Sequence, residues 1–353
     1  MERDATDELA ARVRSAAAAR TPLETRGSGS KAFYGRAVHG EPLSLQQHGG
    51  IIDYDPQELV LTARCGTPLT EIEAALAASG QHLPFEPPHF GPGATLGGTL
   101  ACALAGPARA AVGPVRDFVL GIRVLTGEGR VLQFGGRVMK NVAGYDVSRL
   151  MVGALGTLGV LLDASLKVLP RPQCELTLTF PMSAREALVR MNDWALLPLP
   201  ISATCWVEET LYARLQGSAA AVAEAQQQLD GAELAAGTFF WAAIREHTHP
   251  FFASAGPLWR LHVAAESALL DAPGRTLIEW NGAQRWFAPA DAAEDVHRRC
   301  ARSGGFANRF RRARANDEVF APLPEPLMRV HRELKRTFDP HGILNPGRLY
   351  ADL

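Results

Sequence analysis

GPGATLGGTLACALAGPARAAVGPVRDFVLGIRVLTGEGRVLQFGGRVMKNVAGYDVSRLMVGALGTLGV, residues Gly91–Val160, decides how the rest of the chain is read. It opens on one glycine cluster (Gly91, Gly93, Gly97, Gly98) and closes on another (Gly153, Gly156, Gly159). Between them, two apolar runs around Phe118–Thr126 and Arg130–Phe134 are joined by Gly127-Glu128-Gly129, which reads as a β-hairpin. Glycines crowded at the ends of β segments mean that the backbone turns through positive φ or lies close to something. Two such clusters around one β unit, with a third at Gly27–Gly29, point to a long, flat, phosphate-bearing ligand.

Upstream, Asp7–Arg20 has the spacing of an amphipathic helix, ended by Thr21-Pro22. The turn Thr25-Arg26-Gly27-Ser28-Gly29-Ser30-Lys31 follows. Consecutive N–H groups in such a turn form a concavity that suits a pyrophosphate. Gly27, Gly29 and Ala32 also match the GxGxxG/A spacing of a Rossmann fingerprint. That reading is set aside, because TPLETR is short and polar for a buried parallel strand and FYGRAVHG is a poor helix. Short strands are expected at Leu43–Leu45 and Gly50–Asp53, a clearer one at Leu59–Arg64, and a helix at Pro68–Ser79. Gly93–Thr99 then opens a short helix whose exposed N–H groups would attract phosphate. Pro107–Gly113 reads as a loop, Asp146–Val152 as a helix and Val160–Val168 as a strand stopped by Pro170 and Pro172.

The second half alternates strands (Glu175–Phe180, Ile201–Val207, Leu211–Leu215, Leu258–Val263, Leu277–Trp280, Gln284–Phe287, Phe306–Phe310) with helices (Ala184–Trp194, Ala219–Leu229, Ala290–Arg302). Pro289 stands where a helix would start. This order predicts a ferredoxin-like sheet covered on one face. Helix Glu325–Phe338 then leads the tail Asp339–Leu353 back to the first half. Glu279, Trp280, Gln284 and Trp286 lie around the tight Asn281-Gly282 turn; alternation puts Glu279 and the residues two away on one face, and Arg260 and His262 share a face of the neighbouring strand. An arginine there suits a carboxylate; a structural ion pair among buried aromatics fits the same residues equally well. His247 and His249 share a face only in an extended segment, and no third ligand stands near, so no metal site is expected. The basic run Arg309–Arg314 reads as a solvated or partner-docking surface.

The length of 353 residues fits two domains with packed cores. A formal net charge of -1 gives bulk electrostatics no grip on nucleic acid or anionic membrane. Five scattered cysteines contain no CxxC pair, which removes iron–sulfur and structural zinc chemistry from this chain. No run approaches the roughly 18–20 apolar residues of a membrane span, and the acidic start is no secretory signal. A cytoplasmic chain is the expectation.

An arginine- and glycine-bearing turn, GATLGG, a β unit, GYD followed by GTLGV, and a proline break, in that order, resemble a PCMH-type FAD-binding domain of the vanillyl-alcohol oxidase group. RVMKNVAGYDVSRLMVGALGTLGV, EWNGAQRWF (Glu279–Phe287) and FDPHGILNPGRLY (Phe338–Tyr350) are similar, more narrowly, to the E-subunit family of bacterial glycolate oxidases. The resemblance implies an α+β protein: a PCMH-type FAD-binding domain of two α+β subdomains over 1–172, an α+β cap over 173–322, and a tail over 323–353 that packs back on the first domain. It implies that Arg26, Gly27, Ser28, Gly29, Ser30 and Lys31 hold the FAD pyrophosphate from one side and Gly93, Ala94, Thr95, Gly97, Gly98 and Thr99 from the other. Gly156, Thr157, Gly159 and Val160 would follow the adenine and ribose, and Asn345 would reach the isoalloxazine or its ribityl chain. Gly29-Ser30 stands where covalent relatives carry histidine, so FAD is expected to be non-covalent, and Leu155 stands where related dehydrogenases carry an acid.

The histidine-rich HxGDGNxH-like motif of the dehydrogenases in this group is absent from the sequence. The expectation is therefore an oxidoreductase subunit in a complex that converts glycolate to glyoxylate, beside a D-type flavoprotein and an iron–sulfur F-type subunit, at most peripheral to the inner face of the membrane. Its own catalytic residues are not identifiable. A self-sufficient 2-hydroxyacid dehydrogenase using Arg260 and Glu279, and a non-catalytic scaffold with a vestigial flavin site, remain open alternatives.

Overall fold

A computed structural model describes residues 3–137, 145–253, 256–291, 295–311 and 318–353. Part of RVMKNVAGYDV (138–144), part of the expected helix at 290–302 (292–294) and half of the basic run (312–314) lie outside the described residues.

In the first half the order is α1 (Thr6–Ala19), β1 (Leu23–Arg26), β2 (Glu41–Ser44), β3 (Ile51–Asp55), β4 (Val60–Arg64), α2 (Leu69–Ala78), β5 (Gln81–His82), α3 (Leu96–Cys102) and α4 (Arg109–Val112). It continues with β6 (Val119–Leu125), β7 (Val131–Gly135), α5 (Val147–Met151), β8 (Val160–Lys167) and β9 (Leu169–Pro170). β3, β4, β8, β6 and β7, in that order, form an antiparallel five-stranded sheet. β8 sits at its centre because every residue from Val160 to Leu166 is buried, as a strand covered on both faces requires. β1 pairs in parallel with β2, so TPLETR does hold a parallel strand. It belongs to a two-stranded sheet rather than a doubly wound one. Pro107–Gly113, expected as a loop, contains the one-turn helix α4.

The second half runs β10 (Cys174–Pro181), α6 (Ala184–Ala195), β11 (Ile201–Val207), β12 (Thr210–Gly217), α7 (Ala219–Leu229), β13 (Ala232–Glu233) and α8 (Gly237–Glu246). Then come β14 (Leu258–His262), β15 (Gly274–Glu279), β16 (Gln284–Pro289), α9 (Val296–Arg302), β17 (Phe306–Arg311) and α10 (Glu325–Phe338). One eight-stranded sheet has the order β13-β10-β12-β11-β15-β16-β14-β17. Each four-strand half repeats the ferredoxin-like order, and in the second half a non-helical segment replaces the first crossover helix. Pro289 ends β16 instead of starting a helix; α9 begins after Asp295, whose side chain accepts from Arg298 N. Residues 280–283 form the turn between β15 and β16, so the expected strand stops at Glu279 rather than Trp280.

Alternation gives this sheet two buried faces. Trp206, Ile278 and Leu211 pack under α6 and α7, and Trp259, Leu261 and Phe287 pack under α9. The opposite face (Cys205, Leu277, Trp286, Phe310) packs on α8 residues Trp241 and Ile244 and on Tyr34, Leu104 and Leu155 of the first half. The expectation of a single covered face is thus corrected: the second side closes on the first half of the chain. The end of α10 and the tail after it return to the N-terminal core through Phe338, Ile343 and Leu344.

Candidate functional site

A cleft with about 880 Å³ of empty space, partly open to solvent, lies in the first half of the chain. One wall is the turn after β1. Gly29 has φ +84°, a left-handed conformation that bends the backbone there. Within the turn Ala32 N donates to Gly29 O (2.9 Å), Tyr34 N to Lys31 O (3.0 Å) and Ser30 N to Ser28 Oγ (3.3 Å). The N–H groups of Gly27, Ser28, Gly29 and Lys31 have no hydrogen-bond partner among the described residues. Free N–H groups so close together are an anion cradle. Lys31, 5% exposed, adds a cation whose Nζ donates to His89 O at 3.2 Å; burial pushes its pKa down.

The second wall is the start of α3. Its donors are already engaged: Leu96 N with Thr67 O, Gly97 N with Cys65 O, and Gly98 N with the N-cap Thr95 Oγ1. The expectation that this helix start offers free N–H groups to phosphate is therefore corrected. The two turns also touch each other. A Cβ on Gly27 would stand 2.2 Å from Thr95 Oγ1, and one on Gly93 would stand 3.1 Å from Ser28 Cβ.

The third wall is Leu155-Gly156, with φ of +51° and +72°, and Gly159; Asn345 and Arg348 of the tail complete the lining. Arg26, Gly27, Ser28, Gly29, Ser30, Lys31, Thr95, Gly97, Gly98, Gly156, Gly159 and Asn345 all line the cleft, whereas Gly93, Ala94, Thr99, Thr157 and Val160 do not. Val160 is fully buried opposite Leu125, and Thr157 Oγ1 donates to Ala154 O at 2.7 Å. The Asn345 amide is occupied within the protein: Oδ1 accepts from Thr25 N and Nδ2 donates to Leu155 O, both at 2.7 Å. It thus clamps two walls of the cleft together.

Sequence reading missed the buried cation behind this clamp. Lys335 Nζ donates to Thr157 O (2.7 Å), Leu344 O (2.6 Å) and Asp339 Oδ2 (2.7 Å), while Asp339 accepts from Ile343 N and Leu344 N. The i, i+4 spacing of Lys335 and Asp339 was the available signal.

A second cavity, about 290 Å³, lies between the large sheet and the first half, against Arg260, Glu279, Gln284, Trp286, His247 and Phe90. β14 and β15 are not adjacent; β16 runs between them, so Gln284 bridges Arg260 and Glu279. Arg260 Nε donates to Gln284 Oε1, and Gln284 Nε2 and Trp286 Nε1 both donate to Glu279 Oε1, each at 2.5 Å. Burial pushes the Glu279 carboxyl up, against the pull of those donors and of Arg260. Trp280 Nε1 donates to Gly106 O at 3.0 Å, and the guanidinium groups of Arg109 and Arg260 stand 4.4 Å and 5.1 Å from its ring centre. His247 stacks on Phe252 with ring centres 4.0 Å apart, while His249 Nδ1 accepts from Phe251 N. Among the described residues no group of three or more His, Cys, Asp and Glu is placed to hold a metal.

Burial, with the charges of Arg260 and Arg109, pushes His262 from 6.5 down to about 2. The folded protein therefore keeps this ring neutral where the unfolded chain would protonate it. Stability from this group is complete above about pH 6.5 and declines as pH falls toward about 2, by about 1.4 kcal/mol per unit. His262→Gln should flatten the acid limb of a pH–stability curve by about one proton; an unchanged slope in denaturant titrations at about pH 6 and pH 4 would refute it.

The chain matches a family model described as FAD binding domain over residues 3–135 and one described as FAD linked oxidases, C-terminal domain, over residues 316–349. Glycolate oxidase subunit GlcE of Escherichia coli (strain K12) is 50% identical over 352 residues, covering 100% of this chain and 99% of that protein. Glycolate oxidase subunit GlcD of Bacillus subtilis is 31% identical over 49% of this chain and 37% of its own length. A D-lactate dehydrogenase of Anaerostipes hadrus is 30% identical over 53% of this chain and 39% of its own length. Among solved structures, alkyldihydroxyacetonephosphate synthase superposes with a TM-score of 0.68 at 18% identity, over 96% of this chain and 75% of that one, a likeness of fold. No helix is long and apolar enough to cross a membrane among the described residues.

Proposed function

Since the chain belongs to the glycolate oxidase E-subunit family within the FAD-linked oxidases, we propose that it is the FAD-binding subunit of a complex that oxidises glycolate to glyoxylate. The division of labour follows the chain: residues 1–172 hold the cofactor, 173–322 cover it, and 323–353 lock the cleft. The observation that carries the reading is the run of unpartnered N–H groups at Gly27, Ser28, Gly29 and Lys31 in the large cleft. The buried hydroxyl of Thr25, which lines the cleft, also lacks a partner among the described residues.

The residues present fit a dinucleotide. Gly27, Ser28 and Gly29 donate backbone N–H groups to a diphosphate and Lys31 neutralises its charge, while Gly156 and Gly159 let the far wall pack closely on Asn345 and on Val124 behind it. Thr95, Gly97 and Gly98 shape the wall between. Asn345 orients that scaffold by fixing Thr25 against Leu155. FAD, when bound, supplies a hydride acceptor for oxidation of a 2-hydroxy acid. The turn carries no histidine, in keeping with non-covalent binding. We place the α-hydrogen removal in a D-type flavoprotein partner, and the onward path in an iron–sulfur F-type partner toward the quinone pool. The complex would sit in the cytoplasm or against the inner face of the membrane.

A second reading rests on Arg260, a buried guanidinium that faces the smaller cavity and suits a substrate carboxylate. There Arg260 would pair with the carboxylate and displace Glu279 from its influence. One experiment separates the two: absorption spectra of purified protein before and after FAD, then after glycolate. The first reading expects a flavin spectrum that glycolate leaves oxidised until the D-type subunit is added. Bleaching by glycolate alone, lost in Arg260→Ala without loss of flavin, would establish the second. Failure to take up FAD at all overturns both and leaves a scaffold role.

A further inference from the structure

Lys31 reaches its place through a connection that begins on the other half of the chain. Its Nζ donates to the His89 carbonyl and stands 5.9 Å from the centre of the Phe90 ring. The peptide N–H groups of those same two residues are held by one carboxylate, that of Glu246, the last residue of α8. His89 N donates to Oε1 at 3.2 Å and to Oε2 at 3.0 Å, and Phe90 N donates to Oε2 at 3.0 Å. Phe90 has φ +52° and Gly91 has φ +130°, so the loop is bent there. Glu73 Oε1, 2.9 Å from His89 Nε2, fixes the ring from outside, and Arg245 Nε donates to Glu246 Oε1 at 2.9 Å.

We propose that Glu246 is a positioning residue for Lys31: by gripping the His89–Phe90 loop it aims the Lys31 ammonium at the diphosphate of the cofactor, and so couples cofactor retention to the seating of the cap. The inference rests on the cleft being an FAD site. Glu246 contacts neither the cleft nor its ligand; it acts through the loop. The Glu246 charge also favours the ammonium form that burial of Lys31 opposes. A carboxylate accepting N–H groups makes charge-assisted bonds, roughly twice as strong as those accepted by a neutral amide oxygen. Glu246→Gln keeps the shape and removes the charge, loosening the loop while leaving both halves folded.

The test is a double-mutant cycle on the full chain, read by quenching of flavin fluorescence as FAD binds. Glu246→Gln should raise the Kd for FAD about tenfold, and Lys31→Met by at least as much. The double variant should bind no worse than Lys31→Met alone, because without the ammonium the grip has nothing to aim. Far-UV circular dichroism should be unchanged, and Glu246→Asp replaces Glu246→Gln in the cycle if that variant does not fold. A wild-type Kd in Glu246→Gln, or effects that multiply in the double variant, would overturn the inference while leaving the cofactor reading intact. A wild-type chain that binds no FAD would overturn both.

Discussion

Lys335→Met should lower stability by about 3–5 kcal/mol, the usual cost of removing one partner of a buried ion pair. Methionine fills the volume but donates nothing. Three acceptors lose their partner together: the Asp339 carboxylate and the carbonyls of Thr157 and Leu344. Lys335 is 7% exposed and Asp339 1%, so water does not replace the ammonium. The loss reaches the cleft, because Thr157 follows Gly156 and Leu344 precedes Asn345. Denaturant unfolding should therefore shift to lower concentration, and FAD affinity should fall with it. The double variant Lys335→Met with Asp339→Asn should regain part of the stability. An amide still accepts from Ile343 N or Leu344 N yet leaves no buried charge. A double variant no more stable than the single one would show that the buried charge is not the cause.

Gly159→Val should abolish FAD binding, for a reason the structure reverses. If Gly97 and Gly159 merely kept the ligand's path open, a β-branched side chain at either would block its approach. Instead, a Cβ at Gly159 would stand 2.4 Å from Val124 Cγ1, inside the sheet. A Cβ at Gly97 would stand 2.8 Å from Cys65 Cβ and 2.9 Å from Cys65 O. Both glycines let the cleft walls pack on the sheet behind them, so substitution dislodges a wall. Overpacking of this kind costs about 1–3 kcal/mol, and more where backbone must move. Val124→Ala should then partly restore FAD binding to Gly159→Ala, since it removes the clashing methyl. Loss of binding with unchanged unfolding in Gly159→Val, and no rescue by Val124→Ala, would return the blame to occlusion.

Much of the cleft was legible because its walls are local in sequence. The turn Gly27–Lys31 and the Leu155–Gly159 turn each need positive φ or close packing that the residue types announce. The α3 donors were misread because their acceptors, Thr67 O and Cys65 O, lie some thirty residues upstream, where no local pattern reveals them. Asn345 lines the cleft, but its hydrogen bonds to Thr25 and Leu155 had no local signal, since those partners come from opposite ends of the first half.

Strand alternation likewise placed Arg260 with His262 on one face of the strand neighbouring the Glu279 hairpin, without revealing that β16 inserts between β14 and β15. By itself the sequence determined the α+β class, most helices and strands, the glycine turns and the likeness to a flavin-binding family, all of which depend on short-range periodicity and backbone chemistry. Only the tertiary structure decided which donors remain free, which face of the second sheet closes on the first half, and how Lys335, Asn345 and Glu246 tie the walls together. Those outcomes depend on hydrogen bonds between residues far apart in the chain, and whether a polar group is free or engaged is set by the partner that folding brings to it.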